Sequence, residues 1–100
     1  MTAGPADNRL VLAARIVARD VLRTTPAGIQ ILDLELQHAS EQVEAGGVRQ
    51  VEALVAAKAA GALARQLAAL PLDTTCRFAG FLARKSRNNR QLVFHITAVE

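Results

Sequence analysis

Leu32-Asp33-Leu34-Glu35-Leu36-Gln37 is the stretch on which the fold turns. Successive side chains of an extended chain point to opposite faces, so strict alternation places three leucines on one face and three polar groups on the other. A strand with one buried and one wet face belongs in an antiparallel sheet or barrel. Upstream, Thr24 to Gly28 (TTPAG) supplies turn chemistry: Pro26 fixes φ and Gly28 can take φ > 0. Before that turn, Arg9 to Arg19 (RLVLAARIVAR) is rich in β-branched and apolar residues and reads as a first strand. Downstream, Ser40 to Gly47 is polar, ends in Ala45-Gly46-Gly47 and reads as a flexible loop.

The next segment sets propensity against pattern. Val48 to Leu70 is so rich in alanine that intrinsic preference alone makes it one long helix interrupted at Gly61. Val48, Val51 and Val55 favour a strand up to about Ala56, whereas Leu63, Leu67 and Leu70 form an i, i+4, i+7 apolar stripe. We therefore place a helix over Ala59 to Ala69, closed by Pro71, with its leucine stripe plugging the interior. Thr74 to Ala83 and Gln91 to Val99 then read as two strands joined by a basic loop over Ala83 to Gln91. Three strands, one short helix, then two strands is the plan of an OB-fold. This is an all-β, five-stranded Greek-key barrel with its helix between strands 3 and 4.

A chain of 100 residues with 51% hydrophobic content suits one domain over residues 1–100, with 1–7 as a flexible lead. Burial at this size is modest, so a homodimer is favoured. Cys76 is the sole cysteine, which rules out an internal disulfide and points to a reducing cytoplasm. Met1 to Asn8 has neither a basic region nor an apolar core, and no apolar stretch approaches the roughly twenty residues of a membrane span.

Charge is unevenly spread. The formal net charge is +3, but Leu82 to Glu100 carries Arg84, Lys85, Arg87 and Arg90 against Glu100 alone, while Asp33 to Glu52 holds five acids against Arg49. A clustered excess is the kind that attracts a polyanion, although a charged hairpin tip also serves solubility and guards an edge. Catalytic patterns are missing. Ser40 and Ser86 sit in no nucleophile-elbow pattern, and Ala45 to Gly47 lacks the Lys-Ser/Thr of a phosphate loop. Asp33 and Glu35 are separated by about 6.6 Å of strand rise, but alternating acids are the ordinary dress of a wet strand face and repel DNA from it. His38, His95 and Cys76 have no zinc-ligand spacing, and Cys76 reads as a small buried apolar residue. The chain thus reads as a binding protein with no cofactor and no metal.

Single strands are held by a basic groove along the phosphates and by aromatic faces on which bases stack. The chain has no Trp or Tyr. Phe78, Phe81 and Phe94 lie in apolar strand contexts that suit the core, and only Phe81, out of phase with Phe78, is a candidate for exposure. With phosphate contacts dominant, binding is expected to be salt-sensitive and weakly selective for sequence.

Read along this plan, the sequence resembles the primosomal replication protein N family, usually called PriB. The carriers are NRLVL from Asn8 to Leu12, LR followed by P-x-G-I through Ile29, LELQHAS from Leu34 to Ser40, EAG-x-x-RQ from Glu44 to Gln50, and GFL from Gly80 to Leu82. The resemblance implies an OB-fold homodimer that binds single-stranded DNA and joins the PriA helicase and the DnaT protein at stalled replication forks. It implies DNA contacts from Arg84, Lys85, Arg87 and Arg90, with Arg23 and Arg49 near matching basic positions and Phe81 as the added aromatic. The chain departs at two positions that are aromatic in better-known members, here Gly47 and Glu52. A protein adaptor that stimulates the helicase with weak DNA binding of its own is the alternative. A small ribosomal-type RNA-binding protein shares the fold and charge but not the motif order.

Overall fold

The computed structural model describes residues 7–100, so all but Asp7 of the expected flexible lead lies outside the described residues. The strands are β1 (Leu10–Arg19), β2 (Arg23–Thr24), β3 (Gln30–Glu44), β4 (Gly47–Ala60), β5 (Thr75–Ser86) and β6 (Asn89–Val99), with one helix, α1 (Ala62–Ala68). They lie in the order β1-β5-β6-β4-β3-β2, and an added β1–β3 pairing closes the sheet on itself. Closure is possible because β1 serves two neighbours. Leu10 to Arg15 pair with β5, and beyond a register shift at Ile16 and Ala18 the strand completes its pairing with β3. Such a bulge bends and twists a strand enough to turn a barrel corner.

Five strands therefore form the barrel, and the two-residue β2 is an annex on β3. The helix falls between the third and fourth barrel strands, which is the expected OB plan. Leu32, Leu34 and Leu36 all enter the core, beside Ile16, Leu67, Phe78, Phe94 and Ile96. Leu63 and Leu70 of the helical stripe pack against that cluster and Leu67 is fully buried in it, so α1 does plug the barrel. Arg19 Nη1 donates to the carbonyls of Leu67 and Leu70, satisfying acceptors left open at the end of the helix. Among the described residues no helix is long and apolar enough to cross a membrane.

Three local readings need correction. The helix begins at Ala62 rather than Ala59, because Ala57 and Ala59 are buried in the barrel wall, where Ala59 pairs with Leu32 and Ala60 with Ile31. Sheet pairing there overrides alanine's high intrinsic helix preference, as tertiary context routinely does. Gly61, at φ 70°, makes the break. Ser40 to Gly47 is no flexible loop: β3 runs on to Glu44 and pairs with β4 without interruption from Ile31↔Ala60 to Glu44↔Gly47. The turn is Ala45-Gly46, both at positive φ, as a two-residue hairpin turn requires. The stretch imitates a loop because both faces of this arm are wet and the alternation that marks a half-buried strand is absent. The basic loop of Ala83 to Gln91 likewise shrinks to the turn Arg87-Asn88, with strand on either side.

Candidate nucleic-acid interface

The β5–β6 hairpin displays Arg84, Lys85, Arg87 and Arg90 on a short ladder. Arg84 Nη1 donates to the Arg87 carbonyl at 3.2 Å, holding the turn. All four are exposed, and among the described residues none is engaged in an ion pair. Lys85, Asn89 and Gln91 line one wall of a cleft of about 480 Å³, with Arg23, Asp33 and Lys58 on another. A cation without a carboxylate partner carries its full charge to an incoming phosphate, and the release of counterions then drives binding.

Arg23 and Arg49 stand differently. Arg23 reaches the cleft, but its Nη2 lies 3.0 Å from Asp33 Oδ2, and Lys58 Nζ lies 4.0 Å from Oδ1 of the same carboxylate. Arg49 Nη1 is 2.7 Å from Glu44 Oε1, near the tip of the β3–β4 arm. β4 meets β6 only at Ala57 and Lys58, so Arg49, eight residues earlier, is about 26 Å out along the strand at about 3.3 Å per residue. The six basic candidates therefore do not form one patch: four are free on one hairpin, one is paired at the cleft and one is paired on a distant arm.

The aromatic candidates sort as their phase suggests. Phe78 and Phe94 are fully buried and Phe81 is 39% exposed. Phe81 is not alone. Its ring stacks on the His95 imidazole, with centroids 4.9 Å apart and planes 5° from parallel. Register explains this: Phe81 pairs with His95 across β5–β6, and His95 pairs with Lys58 across the parallel β6–β4 contact. Lys58 in turn pairs with Asp33. Asp33, Lys58, His95 and Phe81 thus form one row across four strands, on the outer surface opposite Leu32 and Phe94. Burial, and secondarily the ammonium of Lys58, lowers the His95 pKa from its ordinary 6.5.

Sequence reasoning gave neither His95 nor Lys58 a role at this site. The alternation Phe94-in, His95-out was available, but the pairing with Phe81 depends on a bulge between Ala79 and Gly80. Gly80 permits the tight approach, since a Cβ there would sit 1.8 Å from the His95 carbonyl oxygen.

A family model described as "Another single-strand binding protein family" matches residues 8–98. The replication restart protein PriB of Bordetella pertussis is 43% identical over 89 residues, covering 89% of this chain and 83% of its own length. The chain belongs to the PriB family. PriB of Nitrosomonas europaea is 33% identical over 89 residues, covering 89% of this chain and 82% of its own. The solved structure of PriB from Ralstonia solanacearum superposes with a TM-score of 0.87 at 42% identity, over 95% of this chain and 97% of that one. The single-stranded DNA-binding domain of a Synechococcus protein matches at TM-score 0.70 and 20% identity, over 98% of this chain and 99% of that one. That likeness places the PriB fold within the same barrel plan.

Proposed function

We propose that this PriB-family chain is a non-catalytic, single-domain accessory protein of replication restart in the cytoplasm, where it binds single-stranded DNA as a homodimer and works with the PriA helicase and the DnaT protein. The observation that carries the DNA reading is the β5–β6 hairpin, which among the described residues bears four cations without a carboxylate partner, one of them, Lys85, lining the cleft. Other surfaces suit phosphates less: OB barrels take oligonucleotides on the face of their second and third strands and on the loops beside it, and that face here carries Asp33, Glu35, Glu41 and Glu52 against Lys58. Phosphate contacts are therefore concentrated at the hairpin. Four contacts correspond to a slope of log K against log salt of roughly −3, at about −0.7 per contact for single strands.

The test is a fluorescence-anisotropy titration of labelled oligo-dT, with duplex DNA and RNA of equal length alongside, across a range of salt. Saturable binding that prefers the single strand is expected. Absence of binding at low salt would overturn the reading.

One observation favours the adaptor as a second reading. The outer face of the β3–β4 arm carries Glu41 and Glu52 beside exposed Val43, Val48 and Leu54. A surface both acidic and apolar repels a phosphate chain and suits a protein partner. In that version the PriB-family chain stimulates the helicase by docking, and its own affinity for DNA is small.

A further inference from the structure

We infer that the stacked pair Phe81–His95 is a platform for an unpaired nucleobase, replacing the stacking that Gly47 and Glu52 cannot give. The inference rests on the DNA-binding reading above and adds a recognition element to it. Phe81 is the one exposed phenylalanine, at 39% exposure, and its partner ring holds it upright: the two planes are 5° from parallel, so a flat base laid on the side of Phe81 away from His95 extends the same stack. A side chain pinned in this way loses little rotamer freedom when a ligand arrives.

The surroundings suit a nucleotide. Lys85, without a carboxylate partner among the described residues, stands on the same outer surface at the cleft, and Lys58, which flanks His95 in the same row, shares its charge with Asp33. Four residues separate Phe81 from Lys85, about 13 Å at 3.3 Å per residue, a span of a few nucleotides of extended single strand. A base on Phe81 thus leaves its backbone within reach of the hairpin's cations. Only an unpaired base has a free π-face, so the platform gives single-strand preference that the phosphate contacts alone lack. The other explanation is that Phe81 and His95 merely brace β5 against β6.

The test uses the lack of Trp and Tyr in this chain. Phe81→Trp installs a single emitting indole at the proposed platform, and Phe81→Leu keeps apolar bulk while removing the π-face. With oligo-dT, the Trp variant should bind with an affinity close to that of the unmodified protein. Its emission should be quenched in step with the anisotropy of the labelled strand. The Leu variant should lose roughly 5- to 150-fold in affinity, the range of one base–aromatic stack, with its salt slope unchanged because no phosphate contact is removed. Full affinity in Phe81→Leu together with unquenched Trp emission at saturation would overturn the platform and leave the phosphate reading standing. Absence of oligo-dT binding by the unmodified protein at low salt would overturn both. Circular dichroism and thermal melting of the two variants separate a loss of contact from a loss of fold.

Discussion

Two antiparallel hairpins project from the barrel, each closed by a two-residue turn, and they treat charge in opposite ways. On the β3–β4 arm, Glu41, Glu44 and Glu52 outnumber Arg49, and Arg49 is itself bound to Glu44. On the β5–β6 hairpin there is no carboxylate between Leu82 and Leu92, and Arg84, Lys85, Arg87 and Arg90 are free of ion pairs among the described residues. The same backbone device gives an acidic arm in one place and a cationic hairpin in the other. A basic residue counts toward a polyanion site only when its neighbours leave its charge available.

The sharpest way to break this contrast is to move charge. Reversing Arg84, Lys85 and Arg87 to glutamate should lower single-strand affinity by more than about 100-fold at low salt, since three cations proposed to meet phosphates become repulsive carboxylates. Arg49→Glu should change it by less than about 3-fold, because exposed paired charges contribute little. Equal losses in the two variants, read by anisotropy, would erase the distinction between the hairpins.

The second prediction sharpens it on the side of stability. Gly80→Ala, which drives a Cβ into the His95 carbonyl at the root of the β5–β6 hairpin, should destabilise the fold by several kcal/mol or prevent folding. At the tip of the arm, Val43→Thr and Val48→Thr should each cost less than about 0.5 kcal/mol, as exposed substitutions do. Denaturant melts of the three variants measure the difference. Between these lies Arg19→Ala, which removes the donor to the end of α1 and should cost roughly 1.5–3 kcal/mol, the range for hydrogen bonds to a charged group.

A third change asks whether the arm can be converted. Glu52→Trp removes a carboxylate and supplies a ring on the outer face of β4, so single-strand affinity should rise, by roughly 5-fold or more for one stacked base. Unchanged affinity would mean that the strand never reaches the arm.

The smallest effect concerns His95. Its folded pKa lies below 6.5, so the unfolded chain takes up that proton first as the pH falls. Stability from the neutral ring is therefore complete above pH 6.5 and declines as the pH drops through the window down to the folded pKa. Lys58→Met removes the lesser of the two causes and should move the His95 pKa upward, toward but not reaching its ordinary value. NMR titration of the imidazole Cε1 proton follows this directly.

Much of the barrel is legible in the sequence because a half-buried strand must alternate. Leu32, Leu34 and Leu36 announce their face, and Phe78, Phe81 and Phe94 divide between core and surface by phase. The arm is illegible for the same reason: Ser40 to Glu44 is wet on both faces and leaves no periodic trace. Alanines 57 and 59 mislead because their helix preference is intrinsic whereas their strand pairing is tertiary. At the site, the cluster of Arg84 to Arg90 is visible as a run of charge. That Arg23 and Arg49 are tied to Asp33 and Glu44, and that Phe81 meets His95, depends on strand register, which no local pattern carries.

The most direct test of the account compares the salt dependence of oligo-dT binding in the unmodified protein with that of the variant in which Arg84, Lys85, Arg87 and Arg90 are all alanine. The slope of log K against log salt is expected to fall in magnitude by roughly 2 to 3, close to 0.7 for each contact removed. An unchanged slope would contradict that expectation and place the phosphate contacts elsewhere on the molecule.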